Sequence, residues 1–261
     1  KVDYMYNIVW GNPTDEYNLI SCPMLWHSIF TNTPFSRPNK KDRYAVISRY
    51  LTDKHSKGKS YVPHMINMPE CSSSDNFREK YNIPTDAFVI GRYGGSDSFD
   101  IGYVHSAIRE ILQENINVYF LFANTNRFHE HPKIKYVDTL YEQMDKARFI
   151  QTCDMMIHGR TVGETFGISI GEFSYYNKPV MTNLSVPIAN LLSDNCHLEI
   201  LGDKGFVYKN KEEAKTIIRN MCRDGVDIKK NWKAYDDYTP AKVMEQFKNM
   251  YLNETPVYDE V

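Results

Sequence analysis

The stretch from Cys153 to Thr182 does most to limit the folds open to this chain. Cys153-Asp-Met-Met-Ile-His158 reads as a short buried strand, Gly159 to Gly163 as a loop, and Thr165 to Tyr176 as a helix. Pro179 cannot continue that helix, so Val180-Met181-Thr182 begins another strand. The stretch is one βαβ step, and its strand-to-helix loop opens at the carboxyl end of a sheet, where α/β folds bind ligands.

The same alternation runs on both sides of it. Residues 87–92 predict a strand, 94–97 a loop and 103–114 an amphipathic helix. Strands follow at 117–123 and 133–137, then a helix at 144–152. Beyond the central step come a helix at 188–192, a strand at 205–208 and a helix at 211–222. This order implies an α/β fold, a Rossmann-type parallel sheet with helices on both faces. Residues 66–86 read as a linker, polar around Cys71-Ser-Ser-Ser-Asp75, with a short helix at 76–81. Before it, residues 1–65 hold candidate strands at 4–10, 23–30, 44–48 and 60–63, with Gly11-Asn12-Pro13 closing the first and a loop over 32–41. The larger α/β domain is therefore drawn at 87–235. The last segment, 236–261, carries a helix starting at Pro240, whose apolar residues are Val243, Met244, Phe247 and Tyr251.

Composition excludes more than it selects. A net charge of -2 gives no electrostatic reason to expect nucleic acid. No apolar run reaches the ~18 residues of a membrane span. Cys22, Cys71, Cys153, Cys196 and Cys222 form no C-x2-C pair, which suggests reduced thiols in a cytoplasmic protein without a zinc site. His129 and His131 sit beside a proline without a carboxylate pattern and read as a solvated loop.

The central helix carries the chemistry. Glu164 stands just ahead of it, and Glu172 lies about two turns inside, roughly 12 Å along at 1.5 Å per residue. Gly163, Gly167 and Gly171 leave one face of the helix start without side chains, while Phe166, Ile170 and Phe173 supply an apolar face. A helix N-terminus with free amides suits an anion such as phosphate. Carboxylates beside it can accept hydrogen bonds from sugar hydroxyls.

Glu164-x7-Glu172, with Phe166-Gly167 inside it and Lys178-Pro179-Val180 after it, resembles the E-x7-E motif of retaining GT-B glycosyltransferases of the GT4 type. The resemblance implies a nucleoside diphosphate sugar as donor, a carbohydrate acceptor, retention of configuration, and neither a cofactor nor a metal. Glu164 would face the donor sugar; amides of Phe166, Gly167 and Ile168 would contact sugar and diphosphate; Glu172 would hold the ribose. Gly91-Arg92-Tyr-Gly94-Gly95 occupies the family's phosphate-gripping turn, where glycines permit positive φ and close backbone approach. The family's second cation there, a lysine, is missing, and Arg160 is the candidate substitute. His158, which with Arg160 flanks the loop into the central helix, could reach the donor; residues 124–127 would lie on the ligand rim, and the backbone of residues 137–140 would read the base. His27 matches a histidine that reaches the donor sugar, although among apolar neighbours it also reads as a satisfied core group. No residue offers a covalent nucleophile, which suits the family's front-face mechanism.

The resemblance covers residues 60–255 and thins before them, so the chain is expected to be a fragment or to carry a reduced N-terminal lobe. Two other readings stay open: a sugar-nucleotide epimerase of the same architecture, and a non-catalytic nucleotide-binding module.

Overall fold

The structure, a computed structural model, describes residues 2–10, 22–30, 41–55, 60–185 and 194–253. The expected turn at residues 11–13, the loop over 32–40 and the helix at 188–192 lie outside them.

The described residues fall into two compact units, one formed by Lys1–Met65 with Asp237–Val261, the other by Ile66–Asp236. In the first, strands β1 (Met5–Val9), β2 (Met24–Ser28) and β3 (Arg43–Val46) make a parallel sheet in sequence order, followed by helix α1 (Arg49–His55). The expected strand at 60–63 is a single bridge from Tyr61 to Val46, because Pro63 has no amide to extend a ladder. Helix α7 (Pro240–Phe247) belongs to this unit, its Val243 packing with Leu25, Ala45 and Val62.

The second unit holds the larger sheet, built from β4 (Phe88–Tyr93), β5 (Val118–Ala123), β6 (Ile134–Val137), β7 (Met155–Ile157), β9 (Val180–Asn183) and β11 (Gly205–Tyr208). Its order is β11-β9-β7-β4-β5-β6, every pair parallel. The chain starts in the middle, builds outward through β5 and β6, then returns to β4's other side. That is the Rossmann-type doubly wound order, with its reversal point between β4 and β7. The strands read as apolar runs because both faces are covered. On one face, helices α2 (Gly102–Gln113) and α6 (Lys211–Asp224) bury Val104, Ile108, Ile111 and Ile218 against Phe120 and Met155. On the other, α3 (Gln143–Thr152) and α4 (Ile168–Tyr175) bring Phe149 and Phe173 onto Tyr93.

The expected elements at 66–86 and 163–176 are corrected. Residues 76–81 form turns rather than a helix, closed by Asn82 at φ 51 and followed by Ile83-Pro84, a pair that resists helix. The central helix starts at Ile168, not Thr165. Gly163–Glu164 instead forms a two-residue strand β8, paired in parallel with β10 (Asp194–Asn195), which leads into α5 (Cys196–Leu201). Gly163 has φ +69, and a Cβ there would sit 1.8 Å from the Asp194 carbonyl oxygen. Only glycine permits that pairing.

Gly91 has a similar duty inside the sheet. A Cβ on it would lie 2.2 Å from Cys153 Sγ, which is fully buried. Gly91→Ala should therefore lower the unfolding free energy by about 1–3 kcal/mol, the usual cost of overpacking. Denaturant titration of Gly91→Ala, Cys153→Ala and the double variant checks it. Removing the sulfur should recover part of the loss, and strict additivity would mean that this contact is not its source.

Candidate functional site

In a sheet of this order, side chains at the carboxyl ends of β4 and β7 and on the loops that follow them share one crevice. Arg92, the penultimate residue of β4, is 3% exposed. Its guanidinium donates to the carbonyls of Gly95 (2.9 Å) and Asn124 (3.3 Å) and to the hydroxyls of Thr125 and Ser98 (2.6 Å each). Among the described residues no carboxylate lies within ion-pair distance of it. Burial lowers its pKa to about 10, with Glu164, Asp97 and Asp100 opposing the fall from further off and Arg160 adding to it. A buried cation without a counter-ion is a receptor for an anion.

The loop after β7 is held from three sides. Asn183 bonds both the amide and the carbonyl of Arg160 (3.1 Å each), and Asp100 accepts from the Thr161 amide at 2.7 Å. Ser185 donates to the Thr161 carbonyl. This loop delivers Glu164, whose Oε1 takes a hydrogen bond from His158 Nε2 (3.2 Å) and whose Oε2 takes one from Arg160 Nη1 (3.0 Å). Burial acts to raise the Glu164 pKa. The His158 hydrogen bond, with the electrostatic pull of His158, Arg160 and His197, outweighs it and brings the carboxyl down to about 2. Glu164 is ionised at neutral pH.

Behind it, His158 Nδ1 meets Thr182 Oγ1 at 2.8 Å, and Thr182 Oγ1 meets His197 Nε2 at 3.0 Å. Burial lowers the His197 pKa to about 3, His158 adding to the fall and Glu164 opposing it. Glu172, in α4, is 6% exposed. Its Oε2 accepts from the Tyr93 hydroxyl and its Oε1 lies 3.6 Å from Lys146 Nζ. Gly167 caps α4 in the left-handed conformation (φ 85), and among the described residues no side-chain cap is recorded at that helix end. The amides of Ile168 and its successors are left for another acceptor.

Three sequence readings need correction. Glu172 is only about one turn inside the shorter helix. The face that Gly171 leaves bare is filled, since a Cβ there would meet Ile66 at 2.5 Å and Tyr235 at 2.8 Å. Gly91, Gly94 and Gly95 do not adopt positive φ, and a Cβ on Gly94 would meet Arg92 Nη2 at 2.9 Å. Those glycines make room for protein groups. Arg160, the expected substitute for the missing second cation, is paired with Glu164. His27 lies in β2 of the other unit, 3% exposed, donating through Nε2 to the Val62 carbonyl (2.7 Å) and accepting at Nδ1 from Tyr6 (2.5 Å). Burial, with His64 adding, lowers its pKa to about 4 against the pull of the Val62 bond. His129 and His131 stack within their loop, and among the described residues no cluster of His, Cys, Asp or Glu suits a metal ion.

A polar pocket of about 230 Å³ opens beside this crevice, lined by Ser96, residues 124–127 and residues 136–139. Neither glutamate lines it. It joins the two segments that the sequence assigned to the ligand rim and the base.

With this geometry the chain superposes on solved structures. HepE from Anabaena, in complex with UDP-glucose, aligns with TM-score 0.70 at 17% identity over 95% of this chain and 78% of that one. A glycosyltransferase from Rickettsia africae ESF-5 gives 0.67 at 14% identity, over 97% and 78%. MnaA from S. aureus, solved with UDP, gives 0.56 at 13%, over 95% and 74%. The chain shares their fold. No family model and no curated protein sequence matches it. No helix among the described residues is long and apolar enough to cross a membrane.

Sequence reasoning missed Tyr93, Lys146, Thr182 and His197. Tyr93 adjoins Arg92 and was within reach of a strand-end argument. Lys146, Thr182 and His197 reach the site from α3, β9 and α5, and no local spacing connects them to the two glutamates.

The depressed Glu164 pKa gives a stability signature. Its folded value, about 2, lies below the ordinary 4.5, so its contribution is fully present above 4.5 and is lost as pH falls toward 2. The gap in unfolding free energy between wild type and Glu164→Gln should narrow across that window. A gap constant with pH, measured by denaturant titration, would show that no such depression exists.

Proposed function

We propose that this chain is a metal-independent GT-B glycosyltransferase of the GT4 type, which moves a sugar from a nucleoside diphosphate donor to a carbohydrate acceptor with retention of configuration. The observation that carries the reading is the pairing of opposite electrostatic elements at one reversal point. A buried guanidinium without a carboxylate stands at the end of β4, and an ionised glutamate follows β7. Such a site answers the two charges the reaction develops: Arg92 and the open α4 amides meet the departing diphosphate, and Glu164 meets the cationic sugar. Glu172 accepts from the ribose hydroxyls, held in place by Tyr93 and Lys146. The pocket beyond β5 and β6 takes the base. UDP is the first nucleotide to try, since HepE and MnaA were solved with it.

The direct test is UDP release from a panel of UDP-sugars, with and without carbohydrate acceptors, in the presence of EDTA. Turnover should survive the chelator, and loss with rescue by manganese would exclude this mechanism. Glu172→Ala should weaken UDP binding by roughly 1.5–3 kcal/mol, the worth of a hydrogen bond to a charged group. Glu164→Ala should spare UDP and impair only the intact donor. Calorimetry that finds equal losses for UDP and UDP-sugar in Glu164→Ala would remove it from the sugar side.

A further inference from the structure

Both terminal nitrogens of Arg92 are occupied by the protein itself. A guanidinium carries five N–H donors and no acceptor, and it stays protonated at neutral pH. Nη1 makes two hydrogen bonds, to the Asn124 carbonyl and Thr125 Oγ1, and Nη2 makes two, to the Gly95 carbonyl and Ser98 Oγ. Two bonds on each nitrogen match the two hydrogens that each carries. The Nε–H is the donor left without a partner among the described residues.

The two hydroxyls are set up for this arrangement. A guanidinium cannot accept, so Ser98 and Thr125 must place their own protons elsewhere. Ser98 Oγ donates to the Gly95 carbonyl and Thr125 Oγ1 to the Ala123 carbonyl, both at 2.9 Å. The fork is confined as well. The Phe99 ring centroid lies 5.6 Å from Cζ, and a Cβ on Gly94 would sit 2.9 Å from Nη2. Any two-pronged grip on phosphate needs at least one terminal nitrogen, so it would break that nitrogen's ties to a loop.

Those ties run to the loops after β4 and β5, whose residues Ser96, Asn124 and Thr125 line the polar pocket. Ser98 does not line it. Two further bonds join the same loops, from the Asn126 amide to the Ser96 carbonyl (2.8 Å) and from Asn124 Nδ2 to the Gly94 carbonyl (2.7 Å).

We infer that Arg92 is a positioning residue for this pocket: its fork staples the loops after β4 and β5, and Ser98 holds the fork in turn. A diphosphate then meets the charge of Arg92 and at most its Nε–H. The identity of the ligand rests on the function proposed above, whereas the commitment of the fork does not.

Nitrogen-15 NMR of the arginine side chains tests the fork without ligand, with Arg92 assigned by Arg92→Lys. Its Nη hydrogens should be resolved and slow to exchange with solvent, and Ser98→Ala should speed exchange at Nη2 ahead of Nη1. Averaged, rapidly exchanging Nη hydrogens overturn the inference. Calorimetry with uridine and UDP tests the pocket. Arg92→Lys keeps the charge and loses the fork, and it should weaken both ligands by the same factor, about tenfold. Ser98→Ala, the milder variant if Arg92→Lys does not fold, should weaken both about threefold, and Ser98→Thr should restore them. An arginine that grips phosphate would lose UDP in Arg92→Lys and leave uridine at its wild-type Kd; that result overturns the inference. So does a Ser98→Ala variant that binds both ligands as wild type does. Slowly exchanging Nη hydrogens in a protein that binds neither uridine nor UDP would uphold the staple and sink the functional reading alone.

Discussion

Everything polar in the larger unit is arranged by one constraint: its six parallel strands are covered on both faces. Val89, Ile90, Phe120, Leu121, Met155 and Met156 are fully buried, and such a sheet has no room for an uncompensated charge along its length. Charge collects at the carboxyl ends, and the reversal between β4 and β7 keeps those ends from being bridged by a single connection. Arg92 shows what that position demands. Its guanidinium is tied to carbonyls and hydroxyls from two loops, those after β4 and β5. Asn124 reinforces the tie, donating to the Gly94 carbonyl from a left-handed backbone (φ 44). The guanidinium thus orders the walls of the neighbouring pocket before any ligand arrives.

The fold was legible because its signal is repetitive. Apolar runs such as residues 117–123, alternating with amphipathic helices such as 103–114, recur often enough to indicate a parallel sheet. The small parts were not. A two-residue strand like Gly163–Glu164 carries no period, and its partner Asp194–Asn195 lies thirty residues away with no pattern connecting them. Missing that pairing let the helix begin too early and hid His197. At the site, the two glutamates could be singled out because motif and helix placement agreed. Their supports could not, because Lys146 and Thr182 reach them through tertiary packing. The glycines misled for a physical reason: a missing Cβ admits a ligand or a neighbouring side chain equally well, and at Gly91 and Gly171 the visitors are Cys153 and Ile66.

Glu164 and Glu172 are both carboxylates of the stretch between β7 and β9, yet their surroundings differ in kind. Glu172 is enclosed by Tyr93 and Lys146 on the aromatic side of the sheet, with one neutral donor and one cation. Glu164 has a cation on one oxygen and an imidazole on the other. The first arrangement suits a fixed anchor, because a tyrosine hydroxyl in a buried setting has little freedom to turn elsewhere. The second keeps a carboxylate charged despite burial.

That difference bears on Arg160. Were it to grip phosphate, as the missing lysine would, it would have to leave Glu164, and the carboxylate would lose one of the two donors that hold its pKa down. Phosphate offers more charge than a carboxylate, but Glu164 is tethered four residues away and competes at high effective concentration. Arg92 carries no such conflict, since its partners are neutral. In the proposed reaction the negative charge of the leaving diphosphate therefore falls to Arg92 and the α4 amides, and Arg160 serves the sugar end by keeping Glu164 ionised. In the proposed reaction an exposed lysine beside Arg92 would strengthen the phosphate grip, yet it would also compete for Glu164. With Ser98-Phe99-Asp100 in that place, the hydrogen-bond donors to the Glu164 carboxylate among the described residues are Arg160 and His158.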